Sequence, residues 1–159
     1  AVISDDMILA DPAPAFMKEI RPGFIYLQMG MGIGLVRGCA KVMEKQRDRL
    51  GHINQYLPYQ PEYFHDKADE LEERLVNLEA DILGGDKEYF REILTARIDA
   101  SELSLKAAET AMLHCGARGF IDSAEANRKV RESYFVAIVT PATKHLYKEI
   151  ARIDGKLLD

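Results

Sequence analysis

The sequence predicts an all-α protein, and three observations lead to this expectation. The 159 residues are 47% hydrophobic and 30% charged, a composition that can bury a core and is too apolar for intrinsic disorder. No long alternation of apolar and polar residues predicts a strand, and apolar residues instead recur at three- and four-residue steps. We therefore expect an up-down four-helix bundle with a short extra C-terminal helix. Residues 22–159 would form this bundle, and residues 1–21 an N-terminal extension or linker.

The first predicted helix covers residues 22–49 and ends at Gly51, a natural helix breaker. Gly30, Gly34 and Gly38 recur every fourth residue and so lie on one face of this helix. Each glycine costs about 1 kcal/mol of helix propensity relative to alanine, so glycine is expected on this face only if a contact there requires a small residue. Close approach of another helix is the favoured reason and ligand contact is the alternative. The glycine run does not fit the GxGxxG fingerprint of dinucleotide sites.

Two further helices follow a proline-bearing loop at residues 51–61. The second helix is predicted to end at Gly84 and Gly85, and the third to run from its N-cap Asp86 to about Cys115. Apolar residues at helical spacing define the inward face of each. In the second helix these are Leu71, Leu75, Leu78 and Ile82, and in the third Phe90, Leu94, Ile98, Leu105, Ala108 and Met112.

The fourth helix is predicted to start at Asp122, because Glu125 follows it at capping-box spacing. Pro141 should end this helix, since it lacks an amide hydrogen and its ring crowds the preceding turn. A short last helix would then cover residues 143–153. The inward side chains of the fourth helix are expected to be Val130, Tyr134 and Ile138.

Charge and cysteine content limit the partners and the compartment. The formal net charge of -5 offers no basic field for neutralising phosphates, so nucleic acid is not an expected partner. The apolar stretch at residues 23–40 contains Gln28 and Arg37 and is too short for a membrane span. Cys39 and Cys115 lack CxxC spacing, which favours a reducing, cytoplasmic location.

Two short patterns could suggest a metal site, and neither is sufficient. Glu62 and His65 form an ExxH pattern, but a carboxylate-bridged di-metal bundle needs a second ExxH and two more glutamates, and the sequence has no second ExxH. His114 and Cys115 are adjacent and point about 100° apart on a helix, so one metal ion does not readily bind both. We therefore expect ordinary structural roles for these residues and no metal site.

Three segments resemble the acyl-CoA dehydrogenase family. GARGF at residues 116–120, followed by Arg131 eleven positions after Phe120, is similar to the family's GGxGF and RDA segments. RDRLG at residues 47–51 resembles its RxxFG, and the glycine-bearing helix with Arg21 near its start resembles the first helix of its C-terminal domain. In order, these segments cover nearly the whole chain as the C-terminal four-helix domain of that family.

The resemblance implies an FAD-dependent α,β-dehydrogenation of an acyl-CoA thioester by a homo-oligomer, a dimer or tetramer. Arg47 or Arg49 would contact the FAD diphosphate, which suits guanidinium geometry. Gly116 and Gly119 would let backbone approach the cofactor, and Thr143 would also lie at the FAD site. The structural alternatives are solvated arginines near a helix end and two turn glycines.

The family's usual catalytic glutamate is replaced here. Its position corresponds to Thr140, whose hydroxyl is too weakly basic to remove an α-proton. A subset of the family supplies the glutamate from the start of the first bundle helix, and Glu19 lies near that place. The alternative function is a non-catalytic helical module for interaction or oligomerisation.

Overall fold

The computed structural model describes residues 4–82 and 85–157, and within them the protein is helical with no strand. The predicted all-α class is therefore confirmed, while the up-down order of four helices stays a prediction. Short 3-10 turns cover Asp5–Met7, Glu79–Asp81 and Gly116–Phe120. The α-helices are α1 (Ala13–Glu44), α2 (Arg47–Asn54), α3 (Pro61–Leu78), α4 (Lys87–Cys115), α5 (Glu125–Ile138) and α6 (Thr143–Ile153).

The two longest helices, α1 and α4, pack against each other and organise the remaining ones. Helices α3 and α5 contact both of them, and α6 packs on α4. Two groups of buried apolar side chains form the core. One includes Val36, Cys39, Phe64 and Ala107, and the other includes Ile25, Met29, Ile93, Leu94 and Leu146.

Helix α1 differs from its prediction at both ends. It begins at Ala13 rather than near Pro22, so residues 13–21 of the predicted extension form its first turns. Pro22 lies inside the helix, where it donates no backbone hydrogen bond and its ring crowds the preceding turn. The helix ends at Glu44, and Gly51 lies inside α2 instead of terminating a helix. The loop predicted at residues 51–61 is correspondingly shorter.

The boundaries of α4 and α6 agree with the sequence analysis. Asp86 caps α4, since its Oδ1 accepts a hydrogen bond from the backbone nitrogen of Tyr89 at 2.9 Å. Helix α5 ends before Pro141, and α6 covers Thr143–Ile153 as predicted. Gly84, proposed as the end of the second helix, lies outside the described residues.

Helix α5 corrects two predictions. Its N-cap is Ala124, so the capping box predicted for Asp122 and Glu125 does not form, and Glu125 instead pairs with Lys45 at 2.7 Å. Tyr134 and Ile138, expected inside, are 59% and 66% exposed. The buried residues of α5 are smaller, which lets it lie close to its neighbours. They are Ala126, Ser133 and Val136.

The close approach predicted for the Gly30, Gly34 and Gly38 face involves a different glycine. A Cβ at Gly30 or Gly34 would have no atom within 4 Å outside its own helical surroundings, and one at Gly38 would meet the Nζ atom of Lys129 at 3.2 Å. A Cβ at Gly32 would lie 2.8 Å from the carbonyl oxygen of Ala100. Helices α1 and α4 therefore approach closely at Gly32, on the opposite face.

Hydropathy along the helices bears on the predicted absence of a membrane span. Among residues 4–82 and 85–157, no helix combines the length and the apolar character that crossing a bilayer requires.

Candidate functional site

Two of the three segments that resemble family motifs, RDRLG at residues 47–51 and GARGF at residues 116–120, lie near each other. The Nδ2 atom of Asn54, the last residue of α2, donates a hydrogen bond to the carbonyl oxygen of His114 in α4 at 3.0 Å. Burial raises the pKa of the Cys115 thiol, and the nearby positive charge of Arg49 opposes this rise. Helix α2 is thus held beside the turn that begins at Gly116.

The two candidate phosphate-binding arginines lie at the surface and are bonded within the chain. Arg47 forms an ion pair with Glu62. The Nη2 atom of Arg49 donates to Oε1 of Gln46 at 2.7 Å. Arg47 also borders a small groove of about 180 Å³, which is below the usual range of roughly 300–1,000 Å³ for ligand pockets.

The two candidate glycines have different surroundings. Gly116 ends α4 with a φ of 61°, and a Cβ there would have no neighbour within 4 Å. Gly119 is buried, and its Cβ would meet the Cβ of Cys115 at 2.6 Å and the sulfur of Met112 at 3.0 Å. The chain itself therefore occupies the space beside Gly119, whereas the surface beside Gly116 is open.

Arg49 and Gly116 are two predicted FAD contacts that are exposed to solvent. They offer a guanidinium group and exposed backbone at an open surface, which suits a diphosphate. Phe120 and Ile121 are exposed next to this turn.

Thr143 is engaged within the chain. Its Oγ1 donates a hydrogen bond to the carbonyl oxygen of Ala137 at 3.0 Å and joins the start of α6 to the last turn of α5. Thr143 therefore has a structural role in connecting α5 and α6, in addition to its predicted role at the FAD site.

A second groove, of about 740 Å³, lies between the start of α1 and the connection from α5 to α6; we call it the basic groove. Thr140, which the sequence analysis matched to the glutamate position, borders this groove. Glu19 is exposed on the same part of α1 but is not among the lining residues. The groove is lined by Met17, Lys18, Ile20, Arg21, Phe24, Thr140, Pro141, His145, Lys148, Glu149 and Arg152.

The carboxylate of the basic groove is Glu149, which the sequence analysis did not identify. It pairs with Arg152 at 2.6 Å and with Arg21 at 3.5 Å. Burial alone would raise the pKa of Glu149, but the two guanidinium groups outweigh it and lower the pKa below its ordinary value. Glu149 is therefore an ionised, charge-paired group and a poor proton acceptor.

A buried arginine behind the groove was also missed. Arg97 is fully buried, and its Nε donates to Oε1 of Gln28 at 3.3 Å. The Nε2 atom of Gln28 donates in turn to the carbonyl oxygen of Thr140 at 2.8 Å. Arg97 interrupts the apolar face of α4 between Leu94 and Ile98, and this break was the available sequence signal.

The residues of the ExxH pattern form separate ion pairs. Glu62 pairs with Arg47, and Nε2 of His65 lies 3.0 Å from Oε1 of Glu44. Within the described ranges, no three His, Cys, Asp or Glu side chains are grouped as metal ligands.

No model of a known protein family matches the chain, and no curated protein sequence matches it significantly.

Proposed function

We propose that this chain is the C-terminal helical domain of an FAD-dependent acyl-CoA dehydrogenase-like oxidoreductase, folded as an up-down four-helix bundle. It would contribute to the FAD site and to the interface of a homo-oligomer. The observation that carries the proposal is the hydrogen bond from Asn54 of α2 to the carbonyl oxygen of His114 at 3.0 Å, which holds the helix containing RDRLG against the end of α4, where GARGF begins. The two segments that resemble family motifs are distant in sequence, and a shared cofactor is a reason for them to meet.

In this proposal the chain's own residues bind and orient the reactants. Arg49 or Arg47 would hold the FAD diphosphate through paired N–H donors, and the exposed backbone at Gly116 would lie against the cofactor. When bound, the flavin supplies the hydride acceptor for the β-hydrogen. Glu19 is the proposed base for the α-proton of the acyl-CoA. Its carboxylate is exposed, whereas Glu149 is held ionised by two arginines.

Buried, unpaired thiols agree with a cytoplasmic location for this enzyme. Cys39 and Cys115 are both free and buried, and free cysteines are ordinary in reducing compartments.

The absorption spectrum of the complete natural gene product, purified without added cofactor, tests the proposal. We expect flavin bands that weaken in Arg49→Met and persist in Arg128→Met, which alters an exposed arginine of α5 that pairs with Glu132. A colourless protein that oxidises no acyl-CoA would contradict the proposal.

The role of Glu19 has its own test. Glu19→Gln should abolish acyl-CoA turnover while flavin absorption is retained, because the base is lost and the cofactor site is not. Lys18→Gln, at the preceding residue, should keep measurable turnover. Unchanged turnover in Glu19→Gln would exclude Glu19 as the base.

A second candidate function, a non-catalytic interaction module, is favoured by the outer face of α1. Leu27 and Met31 are exposed there beside Gly30 and Gly34, whose Cβ positions are open. Small residues next to exposed apolar ones allow close docking of another helix. Leu27→Glu should then reduce association measured by light scattering, whereas a wild-type chain that stays monomeric at high concentration would contradict this function.

A further inference from the structure

The segment before α1 carries apolar and acidic side chains without burying the apolar ones. We call residues 5–11 the N-terminal arm. Three consecutive large apolar residues in so exposed a position are unusual in a monomer and indicate a contact surface. They are Met7, Ile8 and Leu9, which are 70%, 51% and 87% exposed. The acidic residues of the arm are Asp5, Asp6 and Asp11.

The basic groove has the complementary character. Its floor is apolar, with Met17, Ile20 and Phe24 from α1 and Pro141 from the opposite wall. Its cationic side chains outnumber its acidic ones, and the charge of its carboxylate, Glu149, is already balanced by two arginines. The remaining cationic groups are Lys18, Lys148 and, when protonated, His145.

We propose that the basic groove binds the N-terminal arm of a second copy of this chain. The apolar side chains of the arm would cover the groove floor, and its aspartates would lie near Lys18 and Lys148. In this proposal the exchange is reciprocal: each copy's arm occupies the groove of the other, and the pair closes as a two-fold dimer. This inference does not depend on a flavin or on acyl-CoA chemistry.

The geometry of the arm favours a second copy over the arm's own groove. Pro12 has an extended backbone, with φ of -77° and ψ of 135°, and leads directly into α1 at Ala13. Proline also biases Asp11 towards an extended conformation. Met7, Ile8 and Leu9 are exposed in the structure, so the apolar side chains of the arm do not cover the groove of their own chain.

A reciprocal charge exchange tests the proposal in the full chain. Asp5→Lys with Asp6→Lys reverses the arm, and Lys18→Glu with Lys148→Glu reverses the groove. The wild type should form a dimer in sedimentation velocity, and each double variant should associate at least about tenfold more weakly because like charges meet. An equimolar mixture should dimerise again, since a heterodimer pairs wild-type arm with wild-type groove and reversed arm with reversed groove.

A matched control separates the groove from general charge effects. Lys41→Glu with Lys144→Glu also places one change on α1 and one on α6, at exposed lysines outside the groove. It should leave the dimer intact. Leu27→Glu, on the outer face of α1, should also leave it intact, which separates arm exchange from docking on that face.

A direct measurement tests whether a fluorescent peptide of residues 4–12 binds to the arm-reversed chain. The groove of this chain is wild-type and repels the chain's own reversed arm, so it is free to bind the peptide. Fluorescence anisotropy should show binding that weakens about tenfold when the groove is reversed as well. A peptide that does not bind, or a mixture of variants that stays monomeric, would overturn the proposal. The proposal would also be overturned if the wild type were monomeric while the arm-reversed variant bound the peptide. In that case the groove of each chain would hold the arm of the same chain.

Discussion

Arg97 donates a hydrogen bond from Nη2 to the carbonyl oxygen of Val136 at 2.6 Å, and this bond joins the middle of α4 to the last turn of α5. In the part of the chain that the structure describes, Arg97 makes no ion pair, although it is fully buried. Burial lowers its pKa from the ordinary value. Its charge is instead stabilised by Gln28, Ser101 and the negative end of the α5 dipole.

Replacing Arg97 should be among the most destabilising single changes in the chain. Arg97→Met keeps much of the volume but leaves the Val136 carbonyl and the Gln28 side chain without their donor. We expect a loss of about 2–4 kcal/mol in the free energy of unfolding, measured by urea titration with circular dichroism. Arg128→Met, at an exposed arginine of α5, should stay within about 0.5 kcal/mol of the wild type. Equal stability of both variants would contradict the assigned network.

Two glycines on opposite faces of α1 should respond in opposite directions to alanine. At Gly32 the new methyl group would lie 2.8 Å from the carbonyl oxygen and 3.0 Å from the Cβ of Ala100, so the helices must move apart. We expect a loss of about 1–3 kcal/mol. At Gly34 the space is open, and alanine should add about 0.5–1 kcal/mol through helix propensity. Thermal unfolding of the two variants measures the contrast, and a destabilised Gly34→Ala would indicate an unrecognised contact.

Features determined by neighbouring residues were predictable from the sequence. The Asp86 cap depends on a hydrogen bond three residues away, and the end of α5 follows from the missing amide of Pro141. The same local rules misplace the ends of α1, because Pro22 and Gly51 are tolerated inside helices. A proline costs a helix one hydrogen bond, and tertiary packing can offset this loss.

The site was less predictable, because its parts come from distant segments. The basic groove combines the start of α1 with residues after α5, and no local pattern relates Arg21 to Glu149. Tyr134 was misplaced because helical spacing shows which residues share a face but not which face is buried. The proximity of the RDRLG and GARGF segments likewise depends on how α2 packs against α4.

Gly116 should not tolerate a side chain, whereas Gly51 should. The backbone of Gly116 has φ of 61° and ψ of -154°, a region that is essentially restricted to glycine. Gly116→Ala should therefore lower the free energy of unfolding by about 1–3 kcal/mol, although no atom obstructs the methyl group. Gly51→Ala, in the open helical position of α2, should be neutral or stabilising. Urea titration compares them, and a neutral Gly116→Ala would show that this turn adopts another conformation.

The pair formed by Arg91 and Asp154 should contribute stability that depends on acid pH. Hydrogen bonds from Arg91, at 2.8 and 3.1 Å, lower the pKa of Asp154 below its ordinary value. The contribution of the Arg91–Asp154 pair to the free energy of unfolding is therefore present above the pKa that Asp154 has in the unfolded chain. It is lost as the pH falls through the pKa that Asp154 has in the folded protein. Asp154→Asn should be less stable at neutral pH and should lose less stability than the wild type down to about pH 3. Asp122→Asn, at a fully exposed carboxylate, is the control and should follow the wild-type pH profile.

The Cys39 thiol should react slowly and should make the fold sensitive to alkaline pH. Burial raises its pKa to about 12, despite the opposing charge of Lys129. At about pH 8 its alkylation should be on the order of a thousandfold slower than that of an unfolded cysteine, because the thiolate is the reactive form. Mass spectrometry after iodoacetamide treatment measures this in Cys115→Ala, where Cys39 is the remaining cysteine.

The raised pKa of Cys39 also fixes the sign of the alkaline effect. The folded protein holds the thiol proton more tightly than the unfolded chain, so the contribution to stability is complete below the unfolded pKa of about 9 and declines as the pH rises towards 12. Cys39→Ala removes this pH-dependent contribution, so the free energy of unfolding measured by urea titration should fall less than in the wild type as the pH rises over that range. The variant should also be less stable than the wild type at neutral pH, because a buried sulfur is lost. An unchanged alkaline profile together with rapid alkylation would show that Cys39 is open to solvent.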